Sequence, residues 1–273
     1  MRKPVLYFFL GFILTAISFA QSPGDLLITP PRVVFEGSRR TQAISLVNIG
    51  SDTSRYALSI VRYRMNENGQ FEQIEEPDSG QYLADEFLRF FPRQVVLAPD
   101  ETQTVRMQVM MPRSTPDREY RSHLYFRAID NERARPLHSQ SQDLSIQLKP
   151  VFGWAIPILV RKGDLNVDLS ISDIQYIAPE NNQPPGLGFT IHRNGTKSTF
   201  GDIDIVYENF AGEQRIVSNL RGVAVYTPNR LRKFVLPLDF PSGMPAAGKL
   251  IIIYKSQSDL EKTILAKAVV KWP

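Results

Sequence analysis

Residues 144–160 read LSIQLKPVFGWAIPILV, and the fold of this chain turns on how that run is read. The even positions are Leu144, Ile146, Leu148, Pro150, Phe152, Trp154, Ile156, Ile158 and Val160, with no charge among them. The odd positions of the first part are Ser145, Gln147 and Lys149. Alternation with period two places one row of side chains on one face of a strand and the other row on the opposite face. The run is about three times as long as an ordinary strand of five or six residues. It must therefore bend, bulge or serve two partners along its length, and Pro150 and Gly153 are the expected break points.

The same alternation recurs on both sides. Upstream it is carried by LLITPPRVVFE from Leu26, then QAISLVN, YALSIVRY, QVVLAP, TVRMQVMMP and HLYFRAI. Downstream of Val160-Arg161-Lys162-Gly163-Asp164 it resumes in NVDLSISDI, LGFTIHR, GDIDIVYE, GVAVYT, KFVLPLDF, KLIIIYK and TILAKAVVKW. Asn66-Glu67-Asn68-Gly69 holds an Asn-Gly pair, a hairpin signal because both residues tolerate positive φ. No segment carries a long 3.6-residue period, and 20 Pro with 16 Gly punctuate the chain. A helical bundle or a doubly wound sheet is thereby disfavoured. Short strands at this spacing predict an all-β chain of two antiparallel sandwiches, residues 21–161 and 162–273, joined near Arg161–Gly163.

The first twenty residues stand apart. Arg2 and Lys3 precede an apolar run from Val5 to Ile17, and Ser18-Phe19-Ala20 ends it with small residues at the spacing a signal peptidase reads. The run is short for a membrane span of about 20 apolar residues, so residues 1–20 are expected to be a signal peptide cleaved after Ala20. No later stretch is apolar enough for membrane insertion. The formal charge of +4 includes Arg2 and Lys3 and gives no nucleic-acid-binding excess. With no cysteine there are no disulfides, thiolate nucleophiles or cysteine metal sites, and three histidines (His123, His138, His192) lie far apart. No nucleophile elbow, phosphate loop or His-Glu-x-x-His occurs. The expectation is a non-enzyme with no catalytic residues, no cofactor and no metal.

Few polar residues ask for more than a sandwich. Glu75-Glu76-Pro77-Asp78 reads as a solvated loop. His123, inside Arg121-Ser122-His123-Leu124-Tyr125-Phe126, is expected to face solvent or a hydrogen-bonded edge. Asn194-Gly195-Thr196 matches a glycosylation acceptor but is read as a hairpin turn. Arg32 is different: it follows Pro30-Pro31 and precedes the apolar Val33-Val34-Phe35, so it is either an edge guard or an anion hook. The polar stretch DNERARPLHSQSQD (130–143) leads into the long aliphatic row.

Several of these runs carry a family likeness. Pro31-Arg32-Val33-Val34-Phe35-Glu36-Gly37 resembles the opening strand of the periplasmic pilus-assembly chaperones, the PapD-like family. Phe91-Pro92-Arg93-Gln94-Val95-Val96-Leu97-Ala98-Pro99, followed by Gln103-Thr104-Val105-Arg106, resembles a later stretch of the same domain. Tyr120 to Phe126 resembles its penultimate strand and Ile156-Pro157-Ile158-Leu159-Val160-Arg161 its last. The likeness runs in order from about Leu26 to Arg161, while the second half matches only in general strand character. It implies two immunoglobulin-like sandwiches in a boomerang arrangement.

It also implies a binding mechanism in place of a reaction. Such a chaperone lends a strand to an incomplete pilus or fimbrial subunit, which main-chain hydrogen bonds hold in place, and delivers it to an outer-membrane usher. Here the donor strand would present Leu144, Ile146 and Leu148, or alternatively Leu148, Pro150 and Phe152. Burying three such side chains at roughly 1.5–3 kcal/mol each gives a gross gain of about 5–9 kcal/mol, against which the cost of association must be set. The family grips the subunit's terminal carboxylate with an Arg on the first strand and a Lys on the last. Arg32 matches the Arg; Pro157 stands where the Lys would be, leaving Lys149 or Lys162 as substitutes. The family's acid on the penultimate strand is read as replaced by Arg121. Arg161 matches the interdomain basic residue, with no acidic partner assigned in the second domain. An exposed aliphatic edge invites aggregation, so the free protein is expected to cap itself as a dimer or by disorder. The alternative function is a pilus-associated structural subunit or adhesin on the same sandwich, and a third is an exported enzyme or carbohydrate-binding module.

Overall fold

The computed structural model describes residues 26–129, 152–180, 184–240, 243, 245, 247–257 and 263–272. The expected leader, residues 1–20, and the donor-row residues Leu144, Ile146 and Leu148, with Lys149, lie outside the described residues.

The opening run is cut in two by its prolines. β1 (Leu26–Thr29) and β2 (Val33–Phe35) flank Pro30-Pro31-Arg32, where two missing N–H groups end the ladder. The halves join different sheets. β1 pairs antiparallel with β3 (Thr41–Asn48), which continues to β9 (Thr102–Val109) and β7 (Leu88–Phe91). β2 pairs parallel with β11 (Gly153–Arg161), followed by β10 (Glu119–Ala128), β4 (Ser54–Val61) and β8 (Gln94–Leu97). Between these sheets lie Phe35, Ile44, Leu46, Tyr56, Leu97, Met107, Leu124, Phe126 and Ile158, each nearly inaccessible to solvent. At roughly 1.5–3 kcal/mol per buried large side chain, this core is the main force holding the first sandwich.

The second sandwich is built the same way from the later runs. β12 (Val167–Ile177), β13 (Gly186–Gly195) and β16 (Leu231–Pro237) form one sheet. β15 (Gln214–Val225), β14 (Thr199–Glu208), β17 (Gly248–Ser256) and β18 (Ile264–Trp272) form the other. Leu187, Ile191, Ile203, Ile205, Ile252 and Tyr254 fill the space between. No described strand pairs across Gly163, which has φ +81 between β11 and β12. The chain is therefore all-β, two immunoglobulin-like sandwiches in sequence.

The Asn-Gly signal at residues 66–69 holds. β5 (Tyr63–Met65) and β6 (Phe71–Gln73) pair as a hairpin. The Asn66 Oδ1 accepts from the amides of Asn68 and Gln70, both at 3.0 Å, and Gly69 takes φ +82. Asn194-Gly195-Thr196 does not make the expected hairpin. It turns the chain from β13 to β14, which belong to different sheets, because β12 and β16 already occupy both edges of β13. Gly195 has φ +117 there, and a Cβ would stand 2.5 Å from the Asn166 carbonyl oxygen.

The long run is described only from Phe152 onward. Phe152 is half-exposed and precedes β11, its carbonyl accepting the Ala128 amide at 3.0 Å. Gly153, expected as a break, begins the strand. Pro157 sits in mid-strand opposite His123, one residue before the short pairing with β2 begins at Ile158. Its missing N–H is tolerated there because β2 does not reach it. Among the described residues, no helix is long and apolar enough to cross a membrane.

Candidate functional site: a cationic cleft between the sandwiches

Period two that sends Tyr120, Leu124 and Phe126 of β10 into the core sends Glu119, Arg121 and His123 to the opposite face. On β11 the same rule turns Ile158 and Val160 inward and Leu159 and Arg161 outward. On β2, Val34 points outward, with Arg32 just before it. This outer face is not solvated. Leu159 and Val34 pack with Met65 of the hairpin and with Phe200, Ala224 and Tyr226 of the second sandwich. A polar strand face has become the floor of an inter-sandwich cleft.

One corner of the cleft is fully paired. Glu119, with no exposed side-chain surface, accepts from Arg161 Nε at 2.9 Å and from the Ser198 amide at 3.0 and 3.2 Å. The Ser198 hydroxyl and, at 3.3 Å, the Thr227 hydroxyl complete its shell. Arg161 also donates through Nη2 to the Ser198 carbonyl at 2.9 Å and lies 3.4 Å from Glu36. Glu119 stands opposite Arg161 in register, two residues before Arg121 on β10. Among the described residues, what Arg161 meets in the second sandwich is the Ser198 carbonyl and no carboxylate.

The remainder of the cleft is unpaired and positive. Arg121 is 2% exposed, and its Nε and Nη1 have no hydrogen-bond partner among the described residues. Its Nη2 reaches only the Tyr63 and Thr227 carbonyls, at 3.4 and 3.5 Å. The guanidinium carbon stacks 4.3 Å above the Tyr226 ring. Arg32 stacks 4.6 Å above Phe200 with its buried Nε unpaired. Arg232, on β16, donates to the Ala224 carbonyl at 2.7 Å and also keeps a buried unpaired Nε. Burial pulls all three guanidinium pKa values down and pushes the Tyr226 hydroxyl up. An arginine keeps its proton regardless, so these remain buried cations. The carboxylate felt by Arg32 and Arg121 is Glu119, already held by Arg161 and Ser198.

His123 overturns its expectation. It is 3% exposed, with neither ring nitrogen hydrogen-bonded, and stands edge-on to Tyr63 and Phe71, ring centroids 5.1 and 5.5 Å away. Burial, then the like charge of Arg121, pull its pKa down to about 3. A solvent-facing position fails because the hairpin covers this face, which β10 alone does not reveal.

Of the other candidates, Lys162 is engaged elsewhere: its ammonium donates to the Arg113 carbonyl at 2.6 Å and to that of Thr115. A cavity of about 390 Å³ is lined by Tyr82, Arg118, Glu119, Arg193 and Arg230. There Arg193 spends its donors on the carbonyls of Asn229, Gly195 and Lys197 at 2.8–3.2 Å. Among the described residues, the buried unpaired guanidinium donors belong to Arg32, Arg121 and Arg232 and not to the arginines of this cavity. Among the described residues no group of three His, Asp or Glu stands ready for a metal. Glu119, Tyr226 and Arg232 were not singled out by sequence, Arg121 only as a replacement for an acid, and His123 only as a solvent-facing or edge residue. The signal available was the charged odd row of β10, which any half-solvated strand also shows.

No protein-family model matches the chain, and no curated protein matches it by sequence. Solved structures similar to it include the class 5 fimbriae chaperone CfaA, at 15% identity and TM-score 0.45, covering 91% of this chain and 99% of that one. The Pseudomonas aeruginosa CupB2 chaperone is similar at 12% identity and TM-score 0.45, covering 90% and 98%. So is a chain of the CsuC–CsuE chaperone–tip adhesion subunit pre-assembly complex of Acinetobacter baumannii, at 12% and 0.45, covering 90% and 97%. Residue roles in this chain are drawn from its own cleft.

Proposed function

We propose that this chain is a periplasmic chaperone of pilus or fimbrial subunits. It holds an incomplete subunit by donor-strand complementation, anchors the subunit's terminal carboxylate with Arg32, and delivers it to an outer-membrane usher. The observation that carries this reading is the placement of Arg32: next to β2, stacked on Phe200, with a buried Nε that no group among the described residues satisfies. A cation left so is destabilising for the free protein and becomes stabilising once a carboxylate reaches it. The donor row Leu144, Ile146, Leu148, with Phe152 after it, precedes β11 in the chain, so an added strand would end at this same cleft. Lys149 remains a candidate second anchor and Arg161 the residue that links the domains.

The test is periplasmic co-expression with a pilin-like subunit, comparing wild type with Arg32→Ala. A one-to-one complex is expected with wild type, weakened in Arg32→Ala by about 3–5 kcal/mol, the usual cost of truncating one member of a buried charge pair. Equal binding by the mutant removes Arg32 as the anchor. If no subunit is bound or protected, the structural-subunit reading takes precedence.

A further inference from the structure

We propose that the β5–β6 hairpin is a displaceable cover, closed over the outer face of β10 in the free chain and lifted as a unit when that face is used. The lifting follows from the hairpin's own contacts, and its consequence for a partner rests on the chaperone reading.

The hairpin belongs to neither sandwich. β4 pairs with β10 only as far as Val61 opposite His123, and beyond that point the Arg121 amide donates to the Tyr82 carbonyl at 2.8 Å. β5 and β6 then form a two-stranded sheet by themselves. That sheet is closed internally. Asn66 organises its turn, Arg64 meets Glu72 at 2.9 Å across the strands, and the Ile74 amide donates to the Arg62 carbonyl at 3.0 Å at the base. A unit so closed can move without losing its own hydrogen bonds.

Its grip on the second sandwich is small. The Lys233 amide donates to the Glu67 carbonyl at 2.7 Å, and the two side chains, each more than half exposed, pair at 2.8 Å. An ion pair so exposed adds little. Asn229 Nδ2 donates to the Met65 carbonyl at 2.6 Å, and Met65 alone of residues 63–73 is buried. β6 is exposed throughout. What lies beneath is poorly served by the cover. Among the described residues, neither ring nitrogen of His123 has a hydrogen bond, Arg121 lacks partners for Nε and Nη1, and Arg232 lacks one for Nε. A buried polar group left unpaired forfeits the hydration it had in water. Closing the hairpin therefore sets the burial of Met65 against several dry donors, and opening returns those donors to water. The closed state is nonetheless a specific fit: Gly69, at φ +82, rests where any Cβ would collide with the Arg232 guanidinium. A hairpin that served only to hold the sandwiches together would do so at less cost over apolar side chains.

The first test is hydrogen exchange on the purified wild-type chain. The Lys233 amide, held by Glu67, is expected to be protected about 100-fold less than the amides of Leu124 and Ile158 in the first core. Equal protection overturns the proposal, because the hairpin then leaves only when the chain unfolds. The chain has no cysteine, so Glu67→Cys with Lys233→Cys offers a single disulfide across the contact. Its oxidised form should bring the amide at position 233 close to the core value, and reduction should return it. An amide that stays unprotected in the oxidised form exchanges by some other opening and also overturns the proposal. The consequence is read by periplasmic co-expression with a pilin-like subunit, in the compartment where disulfides form. Capture is expected to fall about tenfold or more in the Cys pair and to rise above wild type in the matched Glu67→Ser, Lys233→Ser pair. Equal capture by both pairs removes the gating and leaves the chaperone. Should the Cys pair fail to fold or oxidise, wild-type exchange decides the lifting, and the Ser pair against wild type decides the gating. Rapid exchange at Lys233 in a chain that captures no subunit sinks the chaperone reading and leaves the cover.

Discussion

His123 concentrates what a residue-level reading of sequence misses. A histidine in a strand with Arg121 two residues away looks like part of a wet face. In the fold it is neutral, buried against Tyr63 and Phe71, and held to a pKa of about 3. The consequence is a stability that depends on pH in a definite sense. Above its unfolded pKa near 6.5, neither state of His123 is protonated and it contributes no pH dependence. Below that value the unfolded chain takes up a proton and the folded chain does not until about pH 3. Stability is therefore lost as pH falls through this window, by up to about 1.4 kcal/mol per pH unit from this group. Its neighbour Arg121 keeps its proton throughout, and Tyr63, whose hydroxyl burial pushes up, stays neutral there. We expect His123→Leu to flatten the fall in urea midpoint between pH 6 and 4. Parallel profiles for mutant and wild type would show that the imidazole is not the group responsible.

At the scale of elements, alternation was enough to find most strands, because a strand in a sandwich has one buried and one open face and writes that difference every second residue. β3, β9, β16 and β17 were legible for this reason. β7 was not: Leu88-Arg89-Phe90-Phe91 is only four residues and runs into Pro92. Bulges were not legible either. β14 shifts register against β15 between Gly201 and Ile203, and a Cβ on Gly201 would collide with the backbone carbonyl of Lys255 on β17. The glycine is needed for close approach of two backbones, not for its φ. Gly201→Ala should therefore push β14 and β17 apart and destabilise the second sandwich by about 1–3 kcal/mol, the usual cost of overpacking. Chemical denaturation followed by the fluorescence of Trp272, in the same core, is the measurement. An unchanged midpoint would mean that the sheet absorbs the methyl group.

The whole molecule depends on a contact that no local pattern announces. Glu119 and Ser198 are 79 residues apart in sequence, yet the carboxylate of one is enclosed by the amide and hydroxyl of the other. The two-sandwich organisation could be inferred because each half carries its own strand set. The joint could not, because it depends on which outer faces meet. Glu119 joins the sandwiches mechanically, and it is also the carboxylate that offsets the charge of Arg32 and Arg121. Replacing it by alanine removes an anion from among buried cations and leaves Arg161 with only the more exposed Glu36 and a carbonyl. A loss of about 3–5 kcal/mol is expected from breaking a buried pair on one side. The loss should fall on the coupling between the sandwiches and not on either core, since Glu119 points away from both. Calorimetric unfolding of Glu119→Ala is thus expected to separate into two transitions where wild type gives one. Arg161→Met in the same background should recover part of the loss by removing the stranded partner. A single unshifted transition in Glu119→Ala would mean that the apolar patch of Leu159, Ala224 and Tyr226 holds the sandwiches together without the ion pair.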